Sequence, residues 1–460
     1  MNQSKKEKVS KAKTSKTTQK EPKAPTKTAA KKNIKTKGGQ LMGEGVAGCT
    51  FSPPITCVDG RAFDNNYVSK IFDSEHDSSD DIISANLLSP IDPFQETMLF
   101  ALSGCTVNVN NITNEDKRNC SMMKKAINQK PLESIIMKKG GVTWEKFWGR
   151  GGEGYSQAHP INILLYIWRV LEAIRRLQMN NLVHIDIKPD NIIMMREEDN
   201  TTSTRLIDFG LMDTYPDFRP DTKEMFRNVK EAGSFVPPEV RILAANANTR
   251  STQARFIEQE LNNHCIGAYM INKYSDFYRK SYERLWVRSK SGKTSLDKYI
   301  NQISFNRYYD IYCLGTVLSE ARNDHVVVED YDRDMFDMLI LKMTAPFEQD
   351  RWDIIEVMAY VYQYVKSRAN ASFMPATDVH GFTTLHPEFH LSTWPEFQAS
   401  GVHRTLPKPT DLLRPFVTQK QIQIPNDDSD MMTDGGNKKR SSSKPKKVVS
   451  KTKPVPDKKK

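Results

Sequence analysis

Between Pro160 and Leu177 the apolar residues Leu164, Ile167, Trp168, Leu171, Ile174 and Leu177 recur at three- and four-residue steps. That is the period of a helix with one buried face, and it predicts a long helix opened by Pro160. Soon after it the pattern shortens. Ile192–Met195 and Arg205–Ile207 read as apolar strands around a polar turn, Glu197–Ser203, so a hairpin is expected there. From about Gln40 to Met137 short strand-like pieces such as Y-V-S-K-I-F (Tyr67–Phe72) alternate with polar intervals, including an acidic stretch, Asp73–Asp81. Gly149–Gly154 reads as a surface loop. The run Ile242–Ile303 is rich in Asn, Arg, Lys and Tyr and reads as a partly helical insertion. Beyond Ser367, Pro375, Pro387, Pro395, Pro407, Pro409, Pro415 and Pro425 interrupt any long helix.

At 460 residues the chain is long enough for two lobes and tails, and its charge is unevenly placed. Residues 1–39 carry thirteen Lys against Glu7 and Glu21, and residues 438–460 carry ten Lys and Arg440 against Asp457. The formal charge of +11 therefore hides an acidic body of about −10 between two basic arms, which lack the apolar residues needed to fold. Six cysteines, Cys49, Cys57, Cys105, Cys120, Cys265 and Cys313, show no metal-ligand spacing and read as reduced thiols of a cytosolic or nuclear protein. The start, M-N-Q-S-K-K-E-K, is no secretory signal, and no apolar run approaches the roughly 20 residues of a membrane span.

Against that background stand two motifs in fixed order, H-I-D-I-K-P-D-N over His184–Asn191 and D-F-G over Asp208–Gly210. Their spacing suits two loops hung from the two strands of the expected hairpin. Upstream, Gly43, Gly45 and Gly48 are spaced G-x-G-x-x-G in L-M-G-E-G-V-A-G, where glycines let backbone amides close over phosphates. Lys70 sits inside the apolar Y-V-S-K-I-F, an expensive place for a cation without a partner. Downstream come G-S-F-V-P-P-E, ending at Pro238 and Glu239, then D-I-Y-C-L-G from Asp310 to Gly315, and Arg351.

This constellation resembles the eukaryotic-type protein kinases from about Leu41 to about Val365. The resemblance implies an α+β, bilobal fold with a small β-rich N-lobe and a larger helical C-lobe, flanked by disordered basic tails. Its expected divisions are tail 1–39, N-lobe 40–137, C-lobe 138–366 with an insertion at about 242–303, extension 367–437 and tail 438–460. It implies ATP and Mg as cofactors. In that reading Asp186 orients the substrate hydroxyl and takes its proton, and Lys188 sets a cation beside the transferring phosphoryl group. Asn191 and Asp208 hold the metal. Leu41, Gly43, Glu44, Gly45, Val46, Ala47 and Gly48 cover the nucleotide, Lys70 grips its phosphates, Thr50 stands where a valine meets adenine, and Met137 to Lys139 lend backbone groups to it. The acid partner of Lys70 is Asp81, Glu75 or absent. Asp310 is expected to brace the catalytic loop and Arg351 to pair with Glu239.

Lys188-Pro189 resembles the serine/threonine branch, and Y-V-S-K-I-F, S-P-I-D-P-F and I-M-K-K-G-G-V resemble the divergent kinases of large nucleocytoplasmic DNA viruses. A host cytoplasm or nucleus, or the virion, is then the expected location. Ile185 replaces the common catalytic-loop Arg, and Ala232 stands where a Thr is usual, so activity independent of activation-loop phosphorylation is expected. A pseudokinase or scaffold is the competing reading. The Lys-rich arms suit acidic partners or non-specific nucleic acid.

Overall fold

The computed structural model describes residues 39–369, apart from 46–47, 73–77, 109, 111, 127–131, 150, 155–159, 198–201, 215–234, 248–251, 263–265, 291–302 and 325–329. The expectations for both basic arms and for the 370–437 extension lie outside these residues. The described residues belong to one compact unit.

Five antiparallel strands build the small lobe: β1 (Gln40–Glu44), β2 (Gly48–Ser52), β3 (Tyr67–Phe72), β4 (Ser103–Val107) and β5 (Leu132–Lys138). Their spatial order is β1-β2-β3-β5-β4. Because side chains alternate across a sheet, register decides which face each residue meets. Gly43 pairs with Thr50, Thr50 with Lys70, and Lys70 with Ile135, so these share one face. Helix α1 (Ser79–Leu88) lies on that side. The opposite face carries Cys49, Phe51 and Ile71. There, Cys120, between α2 (Asn114–Asn119) and α3 (Ser121–Ala126), and Met122 and Met123 of α3 close an apolar core with Ile55, Val107, Ile112 and Leu132.

Two disulfides cross this outer face, Cys49–Cys120 and Cys57–Cys105, linking residues 71 and 48 apart. They correct the expectation of reduced thiols for four cysteines. Chain spacing carries no sign of such pairs, because only the sheet and the α2–α3 cap bring them together. Cys313 is a buried free thiol, and Cys265 lies outside the described residues.

In the large lobe, β6 (Val142–Thr143) precedes α4 (Trp144–Trp148) and the long α5 (Pro160–Met179), in which Leu164, Ile167, Trp168, Leu171, Ile174 and Leu177 are all buried. Then follow β7 (Leu182–Val183), β8 (Ile192–Arg196), β9 (Thr202–Leu206) and β10 (Asp213–Thr214). The expected hairpin is β8–β9, with β6 on its edge, while β10 pairs with β7. Strand β9 begins inside the stretch read as a turn, since its polar residues are buried and partnered: the Thr204 hydroxyl donates to the Tyr166 carbonyl and that of Ser203 to Glu197.

The helices α6 (Pro238–Ala247), α7 (Gln253–Leu261), α8 (Ala268–Lys273) and α9 (Ser275–Lys290) fill the interval read as a partly helical insertion. They are followed by α10 (Ile303–Asp324), α11 (Asp330–Met343) and α12 (Ile354–Ala369). Among the described residues no helix is long and apolar enough to cross a membrane.

Candidate active site

The catalytic loop begins where β7 ends and is held from below by α10. Asp310, fully buried, accepts from the backbone N–H groups of His184 at 2.9 Å and Ile185 at 3.0 Å. Burial raises the Asp310 carboxyl above its usual range, against the pull of His184 and of both backbone donors. The His184 ring stacks on Phe209 at 4.8 Å, and its Nε2 lies 3.1 Å from the Ile207 carbonyl oxygen. Ile185 has φ +73°, a left-handed conformation that a β-branched residue resists. Such strain costs about 1–3 kcal/mol and persists only where neighbours enforce it, here the Asp310 hydrogen bond.

Asp186 then stands in a fixed frame. Lys188 Nζ donates to its Oδ2 at 2.7 Å, and Asn191 Nδ2 donates to the same oxygen and to the Asp186 carbonyl, each at 2.8 Å. Both side-chain donors take Oδ2, which leaves Oδ1 for a reacting hydroxyl. The Asn191 amide nitrogen is likewise committed to Asp186, so its Oδ1 is the atom left for a hard cation.

Across the cleft, Lys70 Nζ lies 2.9 Å from Asp208 Oδ1 and 3.6 Å from Asp81 Oδ2. Of the two acids considered for Lys70, the structure places Asp81 on α1 in contact, and Glu75 lies outside the described residues. Desolvation works to lower the Lys70 ammonium, but Asp208 and Asp81 together raise it above its ordinary value. Desolvation would likewise raise Asp208, yet the Lys70 charge outweighs it and holds that carboxyl below its usual range. Asp81 goes the other way: burial raises it more than Lys70 lowers it. Ser84, one turn after Asp81, donates to the Phe209 carbonyl at 2.8 Å and fastens α1 to the D-F-G segment, in which Asp208 itself has φ +66°.

The glycine-rich hairpin is arranged partly as expected. Gly43 lies on the Lys70 face, and the Gly45 N–H donates to the Gly48 carbonyl at 2.8 Å to close the turn; Val46 and Ala47 lie outside the described residues. Gly48 has to be glycine, since a Cβ there would stand 2.2 Å from the Ile71 carbonyl oxygen. Register turns the side chains of two residues expected to cover the nucleotide to the other face. Leu41 pairs with Phe51 and packs into the outer core, opposite the Lys70 face. Glu44 pairs with Cys49 on that same outer face, where its carboxylate accepts from the Ser121 N–H at 2.9 Å and from the Ser121 hydroxyl. Thr50 remains on the cleft face.

Within Met137 to Lys139, the span expected to lend backbone groups to adenine, the ladder treats the residues differently. Met137 is paired with Val68, and the Lys139 N–H donates to the Asn66 carbonyl at 2.7 Å. In an antiparallel ladder alternate residues turn their polar groups to opposite edges. Lys138, between the two, therefore faces its N–H and C=O away from β3.

Behind the loop, Arg351 Nη2 lies 2.9 Å from Glu239 Oε1, both side chains wholly buried, and Arg351 also donates from Nε to the Ala345 carbonyl at 2.9 Å. Ala232 and Ser234 lie outside the described residues.

Residues 39–255 match the family model described as "Protein kinase domain". Among curated proteins none matches the chain. The match ends short of α10, so the braces Asp310 and Arg351 come from beyond it, across the helical insertion.

Proposed function

We propose that the protein kinase domain carried by this chain is a working serine/threonine kinase, which uses ATP and Mg to phosphorylate protein hydroxyls. The observation that carries this reading is the fixing of Asp186 Oδ2 by Lys188 and Asn191, opposite the Lys70–Asp208 pair. With Oδ1 of Asp186 directed at an incoming hydroxyl, that carboxylate positions the nucleophile and receives its proton as the new O–P bond forms and the bond from the γ-phosphorus to the ADP oxygen breaks, releasing ADP. Lys188, at 2.7 Å from the same carboxylate, lies where it can also neutralise charge on the transferred group. Lys70 supplies the cation for the phosphates on the small-lobe side, and Gly43, Gly45 and Gly48 the backbone closure over them.

The donor set suits magnesium. Asp208 is held in its ionised form at neutral pH by Lys70, and Asn191 has its oxygen left over once its nitrogen is engaged. When bound, the cation would neutralise charge on the phosphates. Serine and threonine as acceptors rest on the Lys188-Pro189 resemblance. The likeness to kinases of large DNA viruses makes a host cell compartment or the virion the place to look, and the Lys-rich arms would concentrate the enzyme on acidic partners or nucleic acid.

A pseudokinase reading is favoured by one observation, the short Asp81 at 3.6 Å from Lys70 where a longer acid is usual. The two readings separate on phosphate transfer from labelled ATP with magnesium onto casein, histone and the protein itself, using wild type, Asp186→Asn and Lys70→Met. Transfer to Ser or Thr by wild type alone supports the kinase. Equal background in all three, from folded protein that binds ATP, supports the scaffold.

A further inference from the structure

Among the described residues, the insertion between Glu239 and α10 makes a buried connection to the end of the segment that follows the D-F-G motif. Glu260, near the end of α7, is buried, and its Oε2 accepts from Arg241 Nε at 2.8 Å and lies 2.7 Å from Arg241 Nη2. Arg241 in turn donates from Nη1 to the Val236 carbonyl and from Nη2 to the Tyr312 hydroxyl at 3.1 Å. One guanidinium thus joins the insertion to Val236 and to α10.

Phe235 is tied to the same helix, because Cys313 Sγ donates to its carbonyl at 2.9 Å, and α10 also carries Asp310, which braces the catalytic loop. Phe235 and Val236 are therefore tied to the helix that braces the loop of Asp186, and in the kinase reading this is the side on which a peptide brings its hydroxyl. Glu260 itself is well supported. Phe256 on α7 packs on Trp286 and Tyr282 of α9, with ring centroids 5.3 and 6.2 Å apart. Helix α9 is docked on the Arg351 loop by Tyr278 to Thr344 at 2.7 Å, Ser281 to Asp350 at 3.2 Å, and ion pairs from Arg284 to Asp350 and Arg288 to Glu348.

We infer that the insertion is a built-in clamp on the peptide-side end of this segment and that Glu260 is its positioning residue. Its carboxylate, built into the fold against Arg241, removes the need for a phosphate to order the segment. This fits a catalytic loop with Ile185 in place of a cation.

The inference rests on the kinase reading and is tested in the full chain with Glu260→Gln, which keeps the volume and loses the charge, and Glu260→Asp, which keeps the charge. Expected is a rise in peptide KM of about fivefold or more with unchanged Mg-ATP affinity in Glu260→Gln, and substantial recovery in Glu260→Asp. Hydrogen exchange over residues 235–242 should quicken in Glu260→Gln, and phosphatase-treated wild type should keep its activity. Peptide kinetics and exchange both unchanged in Glu260→Gln would overturn the inference, as would parallel loss of peptide turnover and ATP affinity, or loss of activity on phosphatase treatment. A wild type without phosphate transfer sinks the kinase reading instead. The exchange comparison then decides the clamp alone: faster exchange upholds it, and unchanged exchange overturns it.

Discussion

The two lobes hold their functional groups by different means. In the large lobe, Asp310, Glu239 and Arg351 are wholly buried, and each charge meets an opposite charge or backbone donors or acceptors. In the small lobe, Lys70 faces the cleft between Asp81 and an Asp208 whose side chain is 42% exposed. The glycine-rich hairpin is secured on the face away from Lys70, by Cys49–Cys120, Glu44–Ser121 and a Leu41 N–H that donates to Asp116 at 3.1 Å. The large lobe thus sets Asp186 on a base of buried, paired charges. The small lobe leaves its Lys70 side partly exposed and places its covalent and hydrogen-bonded ties on the outer face.

Replacing Asp186 with Asn attacks the large-lobe base at its reacting atom. Turnover is expected to fall about 10²- to 10⁴-fold in a steady-state peptide assay, with the melting temperature nearly unchanged. Arg351→Met attacks the same base behind the site, leaving Glu239 buried without its cation. It should cost ~3–5 kcal/mol in denaturant unfolding, and a loss below about 1 kcal/mol would mean the pair does not hold the lobe.

The small lobe should respond differently. Cys49→Ser with Cys120→Ser should remove about 2–5 kcal/mol of stability, since the bond closes a long loop. It should also raise the KM for ATP more than that for peptide; the reverse order would contradict the division between lobes. Asp81→Asn is a smaller change. Because burial raises the Asp81 carboxyl, its ionised form is held at a cost, so stability should hold or improve while kcat drops by about tenfold, ~1.4 kcal/mol.

The smallest effect concerns pH. Asp208 is depressed, so the stability it contributes is present above the ordinary carboxylate range and is lost as pH falls through its lowered value. Lys70 is raised, so its share is present below the ordinary lysine range and is lost as pH rises through its elevated value. Activity between pH 6 and 8 should therefore show no titration of this pair, whereas Lys70→Met should move the Asp208 transition upward in a carboxylate-resolved NMR titration.

What local pattern determines was legible. The period of three and four marks α5, the two motifs flank the β8–β9 hairpin, and Asp186, Lys188, Asn191 and Asp208 converge because short loops on paired strands leave few other arrangements. Lys70 inside an apolar strand announced a buried partner, which Asp208 and Asp81 supply. Other features depend on register, and a one-residue difference reverses the face of a strand residue. Leu41 and Glu44 fall on the outer face, and within Met137 to Lys139 it is Lys138 that turns its backbone away from β3, for that reason.

Long-range pairing was beyond the sequence altogether. Cysteines 71 and 48 residues apart carry no mutual signal, and Glu260 is one of many acids in a polar stretch until α7 turns it onto Arg241. The sequence by itself determined the chemistry, because reactive groups in short loops are ordered by their neighbours in the chain. Only the tertiary structure decided what steadies that chemistry, because burial, sheet register and closure between distant segments exist only once the lobes have packed.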